Sequence, residues 1–578
     1  MYKSIPEIFF ETAQKQKNKT ALLYKKEGVY FPISYKELAR KVRIFSAALQ
    51  KLGAQKRDNI AILSENRPEW AISDLAIMSV GAITVPLHAT FSARAIVTVL
   101  NHSRAKILVV SNIDFLNKVL LGQKYLKHLE KIVVIEKLTS VQRETLSTKV
   151  FSFKTLMNMH EADGFEEIFL DPDEVCTIIY TSGTTGKPKG VLLTHRNFLS
   201  NIEAVNEIIP VKENDIFLSF LPLSHVLERT GGYYTPLVFG ATIAYAENSK
   251  QLPQNLKEVR PTVLISVPRI FEKFHDAVWD KVNASKPISQ KFFKWALRQK
   301  RTFRCKLADY LVFRKIRNQM GGRLRLAISG GASLNENVAK FFYKIGIKIL
   351  EGYGLTETSP IISVNREEDL KFGTVGKILP GVKVKIADNK EILVKGPNVT
   401  QGYFNNRKET KSAFSRDGWF CTGDLGFLNR QGFLTIIGRA KEMLVTSGGK
   451  NVWPEPIENL LNNDKFISQS MVVGNGQKFI SALVVPDWQE VKIYMRANNL
   501  PLEEHEKLAK SPKLLKVFQK RIDEKINPNL SDYEKIRKFR LIPQEFSQEQ
   551  DELTPTLKLR RHIIEKHYQK SIQSLYSP

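Results

Sequence analysis

The stretch Tyr180-Thr-Ser-Gly-Thr-Thr-Gly-Lys-Pro-Lys-Gly190 decides how this chain is read. Its glycines at 183, 186 and 190 let the backbone approach an anion closely and present N–H donors. Ser182, Thr184, Thr185, Lys187 and Lys189 add hydroxyls and positive charge, so the run can wrap a polyphosphate. It is not the Walker loop, because Gly183 and Gly186 stand too close together and Pro188 falls where that loop needs a metal-binding hydroxyl. The flanks Val175-Cys-Thr-Ile-Ile-Tyr180 and Gly190-Val-Leu-Leu-Thr194 read as two buried strands, with His195-Arg-Asn197 leading into a helix. A surface hairpin with an ordinary Gly/Lys turn is the alternative for the loop taken alone.

At 578 residues the chain exceeds what one hydrophobic core usually organises. With 43% hydrophobic and 25% charged residues it has a globular, not a disordered or fibrous, composition. Cys176, Cys305 and Cys421 fit no metal-ligand or disulfide spacing, which points to a reducing compartment. Met1 to Pro6 lacks the apolar core of a signal peptide, so a cytoplasmic location is expected. The most apolar long stretch, Ala71 to Leu87, is interrupted by Asp74, Gly81 and Pro86 and reads as core. The net charge of +28 favours anionic partners without choosing among nucleic acid, anionic lipid, an acidic carrier protein and a polyphosphate; a general lysine bias gives the same charge.

Up to about residue 430, helical patterns alternate with β-rich runs such as Asn59–Leu63 and Ala105–Val110, an α/β layout. Ile216 to Leu221, Pro261 to Val267 and Leu324 to Ser329 continue it. The last runs into Gly330-Gly-Ala-Ser333, where Ser333 is expected to cap a helix carrying Val338, Phe341, Phe342 and Ile345. Gly373 to Thr435 suggests a small β-rich subdomain, and beyond residue 440 a separate α+β domain is expected, with a strand at Lys478–Val485 and a basic helix at Leu514–Ile526. The division expected is a large region of layered α/β sheets, residues 1–438, and a smaller α+β domain, residues 439–578.

The downstream motifs give the loop its meaning. Leu221-Pro-Leu-Ser-His225, Gly352-Tyr-Gly-Leu-Thr-Glu-Thr358, Trp419-Phe-Cys-Thr-Gly-Asp424, Gly438-Arg-Ala-Lys-Glu442 and Leu553-Thr-Pro-Thr-Leu-Lys558 follow it in order. With them the chain resembles, over nearly its whole length, the adenylate-forming acyl-CoA synthetases, and within them the long-chain fatty acid–CoA ligases. The resemblance implies ATP, Mg2+ and CoA. ATP would activate a carboxylate as an acyl adenylate, and a thiol would then displace AMP.

The resemblance also assigns roles. Thr181, Ser182, Gly183, Thr184, Thr185, Gly186, Lys187 and Lys189 would hold the β- and γ-phosphates. Glu357 would be the magnesium ligand, with Thr356 at the α-phosphate. Tyr353 would pack on the adenine, and Gly330, Gly331, Ala332 and Gly354 complete the nucleotide set. Asp424 would accept from the ribose hydroxyls, Arg439 would add donors there, and Lys558 would bridge the acyl carboxylate and α-phosphate. The smaller domain, residues 439–578, would be mobile, with Lys441 at the family's hinge, and Ser447, Gly448 and Gly449 would line a thiol tunnel. His225 and Tyr233 lie where the subgroup binds its acyl group, His225 as a binding residue and not a base, though a lone helical histidine is more often structural. Ile265, Val267 and Phe271 could line the acyl tunnel or simply be core.

Lys291 to Arg317 mixes aromatics with Lys and Arg, which suits either peripheral contact with the cytoplasmic membrane face or a solvated basic helix docked by its apolar side. Acyl carrier protein is the rival acceptor to CoA, its acidic surface suiting a basic chain. A basic nucleic-acid or membrane-binding module without turnover is the rival from another class; no common nucleic-acid motif is evident, and no nucleic-acid partner is expected.

Overall fold

In parallel sheets both faces are covered, so their strands read as continuous apolar runs, and Ile107–Val110, Val263–Ser266 and Thr242–Tyr245 are buried at every position. The computed structural model describes residues 3–137, 149–158, 165, 168–182, 188–299, 303–554 and 558–577. Their contacts divide the chain into two compact units. One is Met1–Lys385, Leu393–Thr422 and Leu428–Thr435; the other is Ile386–Ile392, Gly423–Phe427 and Ile436–Pro578.

The first unit holds two large sheets. One runs in the order Gly402–Tyr403, Pro188–Thr194, Val175–Ser182, Ile83–Leu87, Asn59–Leu63, Ile107–Val110, Lys131–Val134, Lys149–Ser152. From Val175–Ser182 onward its neighbours are parallel, while Pro188–Thr194 and Gly402–Tyr403 are antiparallel. The other runs Lys377–Ile378, Ile361–Val364, Ile349–Gly354, Leu326–Ser329, Val263–Ser266, Ile216–Ser219, Thr242–Tyr245, Thr20–Lys26, Val29–Ser34, with a parallel centre and antiparallel ends. Helix Pro68–Ser79 is buried at nearly every position, as its all-round apolar sequence requires, and Ala71 to Leu87 is core.

Strand order reverses at two places. Ile216–Ser219 lies between the strand that follows it and a later one, as does Asn59–Leu63. Crevices outside the carboxyl ends of strands at such reversals are the usual ligand sites of open α/β sheets. Here the two ends are tied together. Asn66, just beyond Leu63, donates to Ser219 Oγ (3.1 Å) and Leu221 O (2.7 Å) and accepts from Leu223 N (3.1 Å).

The second unit is α+β. Ile467–Val473, Ile480–Pro486 and Ile536–Leu541 form a three-stranded sheet, and helices including Pro454–Asn462, Trp488–Ala497 and Pro512–Arg521 contribute to its core through Ile457, Leu461, Val491 and Phe518.

Three local readings are corrected. The helix after residue 333 is Glu336–Lys344, capped by Asn335, whose side chain accepts from Asn337 N and Val338 N; Ser333 is not its cap. The basic helix is Pro512–Arg521, followed by a wider π-type turn, Ile522–Ile526. The stretch 373–435 is not one subdomain, because Lys377–Ile378 and Gly402–Tyr403 join the two large sheets. The rest contributes to a four-stranded sheet of Lys383–Ile386, Glu391–Lys395, Phe420–Leu428 and Leu434–Arg439. Turn-rich composition marks short strands, but not the sheet that each will join.

Gly354 ends a strand where a Cβ would stand 1.7 Å from Pro360 O and 2.7 Å from Pro360 C. Neither backbone atom can yield cheaply, so Gly354→Ala should destabilise the first unit by about 1–3 kcal/mol or more. Chemical denaturation showing an unchanged midpoint would contradict this packing.

Candidate functional site

The carboxyl ends of the strands collect most of the candidate residues of the first unit. Strand Val175–Ser182 runs toward the glycine-rich loop and Pro188–Thr194 returns from it, with Thr181 opposite Lys189. Gly183, Thr184, Thr185, Gly186 and Lys187 lie outside the described residues. On the returning strand Lys189 pairs with Glu409, and its ammonium stands 5.4 Å from the Tyr403 ring centre. Tyr403 lies in the neighbouring strand, opposite Val191, and its hydroxyl donates to Glu357 Oε1 at 2.9 Å. Thr400 N donates to the Glu357 carbonyl at 2.8 Å. Burial, followed by the Glu357 charge, pushes the Tyr403 phenol well above its ordinary pKa and keeps it a donor. Thr356 and Glu357 form a single helical turn after Gly354, half-buried, so the carboxylate is fixed yet reachable.

Gly330, Gly331 and Ala332 follow strand Leu326–Ser329, and Tyr353 and Gly354 close the neighbouring Ile349–Gly354. Gly330 packs under Leu227, with a Cβ there 3.3 Å from Leu227 Cδ2. Gly331 has a φ of +85°, Ala332 is exposed, and Tyr353 is half-buried. Leu334 N donates to Glu351 Oε2 at 3.4 Å, and burial raises the Glu351 carboxyl to about 7.

His225 follows the reversal at Ile216–Ser219. Its Nδ1 accepts from Leu227 N at 3.3 Å, which leaves Nε2 to carry the proton of the neutral ring. His88, at the end of strand Ile83–Leu87, lies 3.1 Å through Nδ1 from Ser224 Oγ, and burial, with the charge of His225, lowers it to about 3. Tyr233 is fully buried, its hydroxyl on Ala71 O (3.2 Å) and its ring edge-on to Trp70. Ile265 and Phe271 are buried in the hydrophobic core.

In the second unit, three residues from separate motifs are brought together. Arg439 Nε pairs with the buried carboxylate of Asp424 at 3.0 Å. Lys558, on a short bridge that pairs Leu553 with Leu559, has its pKa lowered first by the protein atoms around it and then by Arg439; Glu455, Asp424 and Glu442 oppose the shift. The Lys558 residue is solvent-exposed although protein atoms crowd it. Lys441 is exposed on the turn Ala440–Glu442. Ser447, Gly448 and Gly449 form an exposed turn between Leu444–Val445 and Asn451–Val452, with Gly449 at φ +72°.

His88, Tyr403, Glu409 and Glu455 are absent from the sequence reading, since each acquires its neighbours through strand pairing or packing that no short motif records. Chemically, the first unit offers a cationic strand end beside a fixed carboxylate, which suits phosphate with a hard cation, and the second offers a carboxylate with two cations.

The chain matches the AMP-binding enzyme family over residues 9–404 and the AMP-binding enzyme C-terminal domain over residues 441–578. It is 36% identical to the long-chain-fatty-acid–CoA ligase FadD15 of Mycobacterium bovis, over 95% of this chain and 93% of that protein. It is 28% identical to the long-chain-fatty-acid–[acyl-carrier-protein] ligase AEE15 of Arabidopsis thaliana, over 100% of this chain and 87% of that protein. Among solved structures, the adenylation domain of a carboxylate reductase from Mycobacterium chelonae superposes with a TM-score of 0.82 at 20% identity, covering all of this chain and 91% of that one, a likeness of fold.

His88 and His195 are both buried and both lowered from 6.5 to about 3 by burial. Between those values the unfolded chain binds protons that the folded rings refuse, so stability falls as pH drops from 6.5 toward 3. The slope is up to about 1.4 kcal/mol per pH unit for each ring. His88→Gln should flatten the pH dependence of the urea midpoint by about one proton equivalent; an unchanged slope would place His88 in water.

Proposed function

The chain belongs to the AMP-binding enzyme family, and from that membership we propose that it activates a long-chain fatty acid with ATP and passes the acyl group to CoA, as an AMP-forming acid–thiol ligase. A carboxylate oxygen attacks the α-phosphorus, the bond to the β-phosphate breaks and pyrophosphate leaves. The CoA sulfur then attacks the acyl carbonyl carbon, the bond to AMP breaks, and the thiol proton passes to solvent. The observation that carries the chemistry is the meeting of Asp424, Arg439 and Lys558, which offers a ribose acceptor beside cations for a phosphate under attack. The substrate class follows the FadD15 likeness.

In this proposal the run from Thr181 to Lys189, including Ser182, Gly183, Thr184, Thr185, Gly186 and Lys187, holds the departing pyrophosphate. Gly330, Gly331, Ala332, Tyr353, Gly354 and Thr356 hold the adenine and α-phosphate side. Lys558 compensates charge between the carboxylate and α-phosphate in the transition state. His225 and Tyr233 belong to the acyl side, and Ser447, Gly448 and Gly449 to the thiol path. The proposal divides the work between residues 1–438 and a mobile 439–578, with Lys441 as the hinge that lets Lys558 engage for the first step and withdraw for the second.

Magnesium fits Glu357. The residue offers a hard oxygen held by Tyr403, and this ion commonly takes one or two carboxylates and finds its other ligands on phosphate and water. Among the described residues no group of three or more His, Cys, Asp or Glu could hold a metal by itself. When bound, the ion would neutralise phosphate charge as pyrophosphate leaves.

The AEE15 likeness favours acyl carrier protein as a second acceptor, and the higher identity to FadD15 places CoA first. We also propose a cytoplasmic enzyme peripheral to the membrane. Among the described residues no helix is long and apolar enough to cross one. Helix Pro287–Arg298 and the turn Asp309–Phe313 expose Ile288, Phe292, Tyr310 and Leu311 among Lys291, Lys294, Arg298 and Arg314, while Asp309 is already paired with Arg317. Exposed apolar side chains on segments that also expose Lys and Arg suit an anionic bilayer.

Lys558→Ala should slow carboxylate-dependent pyrophosphate exchange about a hundredfold or more. It should leave thioester formation from preformed acyl adenylate near the wild-type rate; a normal exchange rate in the variant would end this reading. Vesicles containing phosphatidylglycerol should co-sediment the protein, and charge reversal at Lys291, Lys294 and Arg298 should release it. Binding that ignores both lipid charge and these substitutions would remove the membrane proposal.

A further inference from the structure

Beneath the candidate site lies a charged cluster sealed from water. The side chains of Asp74 and Arg229 are both 0% exposed and form an ion pair. Tyr234 receives the Arg229 Nε hydrogen bond at 2.8 Å and donates to the second Asp74 oxygen at 2.8 Å. The guanidinium also stands 5.4 Å from the Trp70 ring centre. Its remaining arm, Nη1, donates to Thr177 Oγ1 at 2.7 Å, and that hydroxyl in turn donates a hydrogen bond to Thr84 O at 2.7 Å.

A buried ion pair is weak evidence of stability, because desolvation offsets most of its attraction and an apolar set of equal volume often serves as well. What distinguishes this one is the position of its ends. Thr177 lies in strand Val175–Ser182, which runs toward the glycine-rich loop, and Arg229 lies in the π-helical turn Glu228–Tyr234. Arg229 N donates to the His225 carbonyl at 3.0 Å. One residue thus holds His225 through its backbone and the phosphate-loop strand through its side chain. Single π turns inside helices recur at functional sites, and here the turn places the guanidinium next to the strand.

We infer that Arg229, locked by Asp74 and Tyr234, is a positioning residue that fixes the acid-binding side of the site, at His225, in register with the phosphate-binding strand through Thr177. The inference rests on the proposed acid-activating function, in which the carboxylate oxygen must meet the α-phosphorus in line. A displacement on the order of 1 Å in such a geometry costs up to a hundredfold in rate.

Thr177→Val keeps the size of the side chain and leaves the Asp74–Arg229–Tyr234 set whole, but removes the link to the strand. It should lower kcat/KM for both ATP and fatty acid in pyrophosphate exchange about tenfold at a temperature where circular dichroism shows the variant folded, and Thr177→Ser, which keeps the hydroxyl, should recover most of the loss. A folded Thr177→Val enzyme with both constants within about twofold of wild type overturns the inference, because a structural role alone alters the folded fraction and not the constants of the folded enzyme.

Hydrogen exchange of the wild-type protein with and without saturating ATP supplies a test that needs no turnover. Amides of residues 226–234 should gain protection together with those of 175–182, and an unchanged 226–234 overturns the inference even if Thr177→Val fails to fold. Absence of pyrophosphate exchange in the wild type would instead count against the acid-activating function, while the exchange-protection result would still decide the coupling.

Discussion

The amide of Asn66 holds the carboxyl ends of two sheets at one spot. Each sheet is parallel through its centre, so each sends its chain out of the strands on one side, and each reverses order at a strand whose end Asn66 touches. A parallel strand end exposes a backbone that must find partners, and an asparagine with two donors and an acceptor can satisfy several at once. That constraint places Ser224 and His225 beside His88, which comes from the other sheet. The candidate residues near Gly330 and Tyr353 lie on later strands of the same nine-stranded sheet.

The antiparallel additions matter as much as the parallel centre. Val175–Ser182 and Pro188–Thr194 pair as antiparallel strands toward the sheet edge, and Gly402–Tyr403 then covers that edge. Covering an edge normally protects a sheet from unwanted pairing. Here the covering strand also supplies Tyr403, which reaches Glu357, and the helix Arg407–Ala413 that follows supplies Glu409, which holds Lys189. A lysine paired with a carboxylate keeps its ammonium in place, and an incoming phosphate would compete for it with an acid already present.

Much of this was legible in the chain because the informative residues are local. Tyr180 to Gly190, Gly352 to Thr358 and Gly438 to Glu442 each carry their chemistry within a dozen residues, and the α/β alternation shows in runs such as Asn59–Leu63. His88 and Tyr403 were not legible, since an isolated histidine and tyrosine become part of a site only through partners more than forty residues away in the chain, Ser224 and Glu357. The helix cap was misplaced for a related reason. Ser333 and Asn335 are both good capping residues, and the choice fell to Asn335 when Leu334 N found the Glu351 carboxylate, a partner in the next strand.

The charge balance around Lys558 argues that its neighbours are arranged for a ligand and not for the lysine alone. Burial and Arg439 disfavour the ammonium, while Glu455, Asp424 and Glu442 favour it, so the protonated form is held by opposing influences of which no single partner is dominant. A lysine serving only structure would be expected to settle into one close pair, as Arg439 does with Asp424. Burial raises the Glu455 carboxyl, with Lys558 opposing the shift. An anionic phosphate brought to this place would meet two cations, Arg439 and Lys558, and would add a counter-charge to the ammonium.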